Sequence, residues 1–556
     1  MAITSPQKSP TTQGFLSKNT WLIFTVMVAL LLTMPMWILV SFVFEPTNEN
    51  WQHLTETLLS EYIINSLWLM LGVTFGTLLL GVPTAWLISQ YQFFGKGFLH
   101  WALLLPLAVP AYIIAYTYTG LLEFEGPVQS YLRGVFSTQT VNAWFPEVRS
   151  LGGAIVMFSL VLYPYVYLLS RAAFSNHSQQ ALEASKILGA GPVRRFFKIA
   201  LPMARPAIIA GLTLALMETL ADFGTVQYFG VPTFTTGIYR TWTGFGDTTT
   251  TVHLSLILLA FVLVLMLVEF WSRKQAKYFA TNTSGHAKSR FIQLKSWQSI
   301  TAFIFCLLPI LFGFLLPALQ LLYWAITTAQ SEFNAEFIQL IWNSFFLASV
   351  TSVVVLVLAV FLVYAKRIQN HASTNYAVKI ATLGYAIPGT VIAIAVMIPL
   401  GWLDNTLDTL MRDWFGISTG LLLSGTLFAL VFAYSFRFLS VALQTVDSGL
   451  NQVKPSMDES ARTLGASRFN ILKNIHLPLI QTSLLTAFIL VFVEVLKELP
   501  TTLILRPFNF NTLSVRAYEM AADERLADAG LPALLIVLTS MIPIIILSKL
   551  IGRNHA

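Results

Sequence analysis

The sequence predicts an all-α polytopic membrane protein made of two pseudo-symmetric six-helix halves. Three observations carry that expectation: a scarcity of charge, twelve long apolar runs, and a polar stretch that occurs twice. Of 556 residues, 56% are hydrophobic and 11% charged, against about 25% charged in an average soluble domain. A soluble chain so poor in charge would expose large apolar patches and aggregate. Lipid is therefore the expected solvent for most of the surface, where a helix needs about 20 apolar residues to cross.

Runs of that kind lie near 21–44, 62–89, 98–122, 151–170, 206–230 and 251–270. A second six lie near 298–328, 337–365, 378–403, 420–444, 479–505 and 531–548, with Arg437 inside the fourth of them. The polar N-terminus MAITSPQKSPTTQ is expected to be disordered. The run Trp21 to Phe44 holds 24 residues without a charge, too long for a signal-peptide core, and no small-x-small cleavage site follows. It reads as an uncleaved first span. Cys306 is the single cysteine, which excludes an intrachain disulfide and any multi-cysteine metal site. Its apolar neighbours suit a buried, inert thiol.

The basic stretch 272–296 separates the halves, giving a first repeat over 1–285 and a second over 286–556. Orientation follows from lysine and arginine. With the N-terminus inside, the inside segments hold 24 of the 33 basic residues and the outside segments seven, the other two being Arg437 and Lys497. Both termini are thus expected in the cytoplasm. Six spans per half is an even number, so the halves enter with the same orientation and should be related by an axis along the membrane normal. The duplication also shows in Asn65-Ser66 and Asn343-Ser344, and in Pro110 and Pro388.

The repeated stretch is E-A-S-K-I-L-G-A-G-P-V-R-R-F-F-K-I-A-L-P at 183–202 and E-S-A-R-T-L-G-A-S-R-F-N-I-L-K-N-I-H-L-P at 459–478. Matches at a constant offset of 276 include these five: Glu183, Gly189, Ile199, Leu201 and Pro202 with Glu459, Gly465, Ile475, Leu477 and Pro478. Chance would give that about once in a million starting points at average residue frequencies. The local physics is helix–turn–helix. Gly189 and Gly465 supply left-handed stops, Pro192 suits a first helical turn, and Ser467 can cap. Pro202 and Pro478 are expected to end the second helix before the next span. Ser456-x-x-Glu459 could form a capping box, but Gln180 stands at the matching position of the first copy, so capping does not explain Glu183.

These segments resemble the signature loop of ABC importer permeases: Glu-Ala-Ala, three residues, Gly, nine residues, Ile-x-Leu-Pro. The chain has Glu183-Ala184-Ser185 and Glu459-Ser460-Ala461, each departing by one small residue. The resemblance implies a type I ABC importer permease fold in a bacterial inner membrane. It implies coupling loops at 178–202 and 454–478 that dock a homodimeric cytoplasmic ATPase through Glu183, Ala184, Gly189, Glu459, Ala461 and Gly465. Stretches such as Glu218-Thr-Leu-Ala-Asp-Phe-Gly-Thr-Val and Leu496-Lys-Glu-Leu-Pro-Thr-Thr-Leu-Ile-Leu-Arg-Pro-Phe-Asn-Phe look like those of ferric iron permeases. That implies a periplasmic binding protein as a further partner and ferric iron as substrate, with fused thiamine permeases as the alternative and polyamines and phosphonates behind.

Ionisable residues inside spans usually face the bundle interior or a pathway. Glu218 and Asp222 are spaced four apart, as are Glu494 and Glu498, which on a continuous helix puts each pair on one face. At 1.5 Å per residue Glu218 lies about 20 Å from the inner start of its span. The four acids are expected to form an anionic patch towards the outer mouth, favouring a hard cation with its preference for carboxylate oxygen. The competing reading is that Lys497 and neighbouring polar groups pair with them structurally.

No phosphate-loop pattern exists, since Gly95-Lys96-Gly97 lacks the spacing and the hydroxyl residue. The chain is not expected to bind a cofactor or catalyse a reaction; ATP and magnesium belong to the partner. Its eight histidines show no metal-ligand spacing and read as interface or loop residues, and no metal site or nucleic-acid partner is expected. Gly72-x-x-x-Gly76 allows close helix packing, and prolines 106, 110 and 388 are expected to kink their spans. An ion-coupled secondary transporter would use the intramembrane acids but not two matched inner loops. A membrane-embedded transferase or hydrolase would need a clustered nucleophile that is not visible.

Overall fold

A computed structural model describes residues 13–176, 185, 187–276, 291–369 and 371–553. Over these the regular structure is helical apart from a two-residue parallel pairing of Tyr91–Gln92 with Ile292–Gln293. Nine of the described helices are long and apolar enough to cross a membrane, or eleven when two sharply bent pairs each count as one span. The twelfth apolar run appears as a shorter apolar helix, Gly530–Ile546. Continuous helix is what lipid demands, because it satisfies every backbone polar group within the segment.

The two bent pairs have local causes. Lys96–Ala108 meets Ala111–Val135 at 92°, with Pro110 extended (φ −57°, ψ 143°) at the start of the second helix. Proline cannot donate a backbone hydrogen bond and pushes the residue before it out of helical geometry. Arg468–Leu479 meets Gln481–Lys497 at 77°, two residues after Pro478. In the first copy the expected break at Pro202 does not occur: helix runs from Pro192 through to Ala221. A π turn stands just before each proline, Phe196–Ala200 and Leu472–His476, and helix continues past both; the bend of the second copy comes later, at Ile480. Such a turn shifts the hydrogen-bond register by one residue and can absorb a missing donor without ending the helix.

The described chain divides into two compact units that do not coincide with the sequence halves. One gathers the chain up to Val40 with Phe346–Ala386 and Ala395–Val495; the other gathers Ser41–Phe345, Ile387–Ile394 and the chain from Leu496 onward. In the second of these, helix Leu59–Gln90 lies along helix Leu151–Asn176 with small residues at the seam. A Cβ placed on Gly72 would come within 2.5 Å of the Ile155 side chain, and one on Gly76 within 2.0 Å of Ser159 Oγ. With no hydrophobic drive between helices in lipid, this close approach supplies the packing that holds the pair.

Gly76→Leu should therefore overpack the seam and destabilise the protein by about 1–3 kcal/mol. The measurement is a thermal midpoint in detergent, compared with that of Gly97→Leu, where an added Cβ meets nothing within 4 Å.

Candidate functional site

The two repeated segments share one backbone device. Gly189 has φ +79° and Gly465 φ +83°, the left-handed region that an L side chain enters only at a cost of about 1–2 kcal/mol. At Gly465 the turn closes with Gly465 N–H on Arg462 C=O at 3.0 Å and Ala466 N–H on Ala461 C=O at 3.0 Å. This pair of bonds is the Schellman arrangement. The first copy repeats the longer bond, Ala190 N–H to Ser185 C=O at 2.9 Å. A second short helix follows each turn, started by Pro192 behind Gly191 in one copy. In the other, Ser467 caps it, accepting from Asn470 N–H at 3.2 Å.

The shared glutamates divide. Glu183 and Ala184 lie outside the described residues. Glu459 is exposed, while Ala461 behind it is buried. The capping box weighed as a competing reading of Glu459 is not formed: the helix begins at Pro455 behind Lys454, and Ser456 already sits inside it. Glu459 thus points outward without a capping role. The tip of each turn presents a leucine missed in the sequence reading, Leu188 at 86% exposure and Leu464 at 88%. The signal was present, since Leu-Gly-Ala is identical in both copies. In the second copy the loop is also tied to helix Ala335–Ile368 through Arg367, Asp458 and the buried His476, a set that scattered histidines did not suggest.

The intramembrane acids do not share continuous helical faces as expected. Helix Leu201–Ala221 carries the half-buried Glu218 and stops, leaving Asp222 extended (φ −71°, ψ 136°). Helix Gln481–Lys497 carries the half-buried Glu494 and stops before Glu498, which is buried. Each departing acid turns back to cap the short helix beyond it. Asp222 accepts from Thr225 N–H at 2.8 Å and Thr225 Oγ1 at 3.2 Å. Glu498 accepts from Thr501 N–H at 3.0 Å and its hydroxyl at 2.6 Å, and from Thr502 N–H at 3.2 Å and its hydroxyl at 3.1 Å. Each hydroxyl shares its one proton with a backbone carbonyl, that of Thr501 with Gly389 C=O at 3.2 Å and that of Thr502 with Glu498 C=O at 2.9 Å.

Around these breaks the unit containing them builds the same clasp twice. Asn65 Nδ2 donates to Pro232 C=O at 3.0 Å and Asn343 Nδ2 to Asn511 C=O at 3.1 Å. Thr235 Oγ1 donates to Asp222 C=O at 2.7 Å, and Ser514 Oγ to Glu498 C=O at 2.8 Å. The repeated asparagines of the sequence thus hold the loops that follow the broken spans. Tyr112 packs between the two breaks: a Cβ on Gly224 would lie 2.7 Å from Tyr112 Cβ and 2.8 Å from a Leu499 methyl. Asp222 and Glu498 are acidic neighbours of its ring. Nearby, Arg149 joins Glu123 at 2.8 Å and Glu524 at 2.7 Å, and the hydrogen bond from Arg149 holds the Glu524 carboxyl below its usual range. Among the described residues no group of three or more His, Cys, Asp or Glu could hold a metal ion.

Twin broken spans, twin clasps and twin glycine-hinged polar loops in a polytopic helical chain define a duplicated transport permease. The chain belongs to the family described as the binding-protein-dependent transport system inner membrane component, which matches residues 14–276 and again 365–555. It is a multi-pass inner-membrane translocation subunit and not an enzyme. It is 28% identical over 497 residues to the Fe(3+)-transport system permease protein FbpB 2 of Haemophilus influenzae, covering 88% of this chain and 90% of that one. It is 29% identical to the molybdenum transport system permease protein ModB of the same organism, over 30% of this chain and 71% of the relative. It is likewise 29% identical to its spermidine/putrescine transport system permease protein PotB, over 38% of this chain and 74% of the relative.

Two predictions follow from this geometry. Gly189→Val with Gly465→Val forces a β-branched residue into the left-handed region at both hinges, at about 1–2 kcal/mol each; substrate-driven transport in vesicles should fall to background while membrane insertion persists. Glu498→Ala leaves buried donors at Thr501 and Thr502 unsatisfied and should destabilise by about 1–3 kcal/mol.

Proposed function

We propose that this chain forms the membrane pathway of an ATP-driven importer for ferric iron, with both termini in the cytoplasm. A periplasmic binding protein delivers the ion to the outer mouth. A homodimeric ATPase, carrying ATP and magnesium, docks from the cytoplasm on the two repeated segments through Glu183, Ala184, Gly189, Glu459, Ala461 and Gly465. The halves 1–285 and 286–556 each contribute one loop.

The observation that carries the substrate is the reach of the similarity. The relative named for Fe(3+) transport is matched across 88% of this chain and through both copies of the family domain, whereas those named for molybdenum and for spermidine/putrescine are matched over 30% and 38%. The acids support it. Glu218 and Glu494 bring negative charge into the bilayer on helices that reach the breaks, and charges at such depth mark pathways. Asp222 and Glu498 add to the anionic field while holding the breaks. A hard trivalent cation suits oxygen donors. The excess of basic residues on one set of loops supports the orientation.

The test is ATP hydrolysis by the permease and partner ATPase reconstituted in vesicles, with binding protein supplied empty, loaded with ferric iron, or loaded with thiamine. Stimulation by the iron-loaded form alone, with iron accumulating inside, is the expected result. Stimulation only by thiamine-loaded protein would move the substrate and keep the transporter class. Neutralising Glu218, Asp222, Glu494 and Glu498 together should abolish iron accumulation; full uptake would remove the acids from the pathway.

A further inference from the structure

The second repeated segment is held by a charged clamp that the first cannot build. Arg367, at the C-terminal end of helix Ala335–Ile368, uses all three sides of its guanidinium. Nε donates to Asp458 Oδ2 at 2.8 Å, one terminal nitrogen to Leu450 C=O at 2.6 Å, and the other to Val453 C=O at 2.9 Å. The second oxygen of Asp458 receives His476 Nε2 at 2.7 Å. A carboxylate only accepts, so this nitrogen carries the proton. His476 is fully buried and meets the Tyr364 ring edge-on at 5.5 Å. The Tyr364 hydroxyl donates in turn to Arg468 C=O, and Lys366 joins Asp447 at 2.9 Å.

These bonds reach every part of the segment: the end of helix Leu427–Leu450, the bend at Val453, helix Pro455–Thr463 through Asp458, the short helix at Arg468, and the π turn at His476. Burial opposes ionisation of Asp458, but the hydrogen bonds from Arg367 and His476 outweigh it and hold its carboxyl below the usual range. Arg367 and Asp458 are half-buried, so loss of either partner leaves the other charge with little water to replace it. Asp458 and Glu459 are neighbours on a helix, about 100° apart around its axis. Clamping Asp458 inward therefore turns Glu459 outward, as found. At the same offset of 276, the first copy has Leu182 for Asp458 and Ala200 for His476, so neither the acid nor the imidazole is available there.

We infer that Arg367, Asp458 and His476 are positioning residues that set the orientation of the second docking loop, so that the two loops of this permease couple unequally to the ATPase. The inference rests on the reading that these loops meet the ATPase. In the clamped loop, motion of helix Pro455–Thr463 is carried directly to helix Ala335–Ile368 through Arg367, bypassing the glycine hinge. The first loop carries neither the acid nor the imidazole of that route.

The test uses the full permease–ATPase complex in vesicles with ferric-loaded binding protein, measuring the ratio of stimulated to basal ATP hydrolysis. Arg367→Gln and Asp458→Asn should each lower the ratio by about tenfold or more, as expected for leaving a half-buried charge without its partner. A tether separates positioning from folding. In a Cys306→Ser background, Arg367→Cys with Asp458→Cys should be uncoupled when reduced and regain coupling to within about threefold when bridged by a short bifunctional thiol reagent, since restored geometry restores the lever. Coupling within about twofold of the parent protein in Arg367→Gln and Asp458→Asn, or failure of the bridged variant to recover, overturns the inference while the docking reading stands. A parent permease that stimulates no ATPase with any loaded binding protein overturns both.

Discussion

Inside a bilayer no water is available to satisfy a backbone group freed by ending a helix, and this constraint shapes the structure more than any other. Two helices nevertheless end where their apolar runs continue, after Ala221 and after Lys497. The following acid resolves each break. Asp222 and Glu498 turn back onto the first N–H groups of the next short helix, and the hydroxyls of Thr225, Thr501 and Thr502 complete the set. A carboxylate at a helix start also meets the positive end of the helix dipole. Asp222 and Glu498 thus have a structural task at the breaks, while Glu218 and Glu494 lie on unbroken helical turns.

Duplication supplies the second theme. The clasp around each break uses an asparagine from a preceding span and a hydroxyl two residues beyond a threonine cap: Asn65 with Thr235, and Asn343 with Ser514. Both repeated loops turn through a glycine at φ near +80° and expose a leucine at the tip. The copies then diverge. One is anchored by Arg367, Asp458 and His476, and its helix bends by 77° beyond Pro478, whereas the other runs straight past Pro202. Two copies that began alike have retained the hinge and differ in what supports it.

Much of the fold was legible in the sequence because lipid reduces the folding problem to length and polarity. The apolar runs located the helices, and the offset of 276 located the loops. Gly189 and Gly465 were readable as left-handed stops because no other residue takes that conformation as cheaply, and Ser467 as a cap because its hydroxyl has few other uses there. Less legible was where helices stop inside an apolar run. A spacing of four between acids implies a shared face only on an unbroken helix, and nothing within 218–222 or 494–498 signals the end. The π turns before Pro202 and Pro478 were hidden for the same reason: whether a proline ends a helix depends on how the preceding turn takes up its missing donor.

By itself, the sequence determined a duplicated, all-helical membrane protein with two glycine-hinged loops, since composition, run length and repeat offset are properties of the chain alone; that it is a permease came from the resemblance of those loops to a known family. The tertiary structure decided which acids cap broken spans, that Asn65 and Asn343 clasp the loops beyond them, and that Arg367 reaches Asp458 across 91 positions of sequence. It also decided that the compact units cut across the sequence halves. These depend on partners brought together only when the helices pack, and no local pattern encodes a partner so far along the chain.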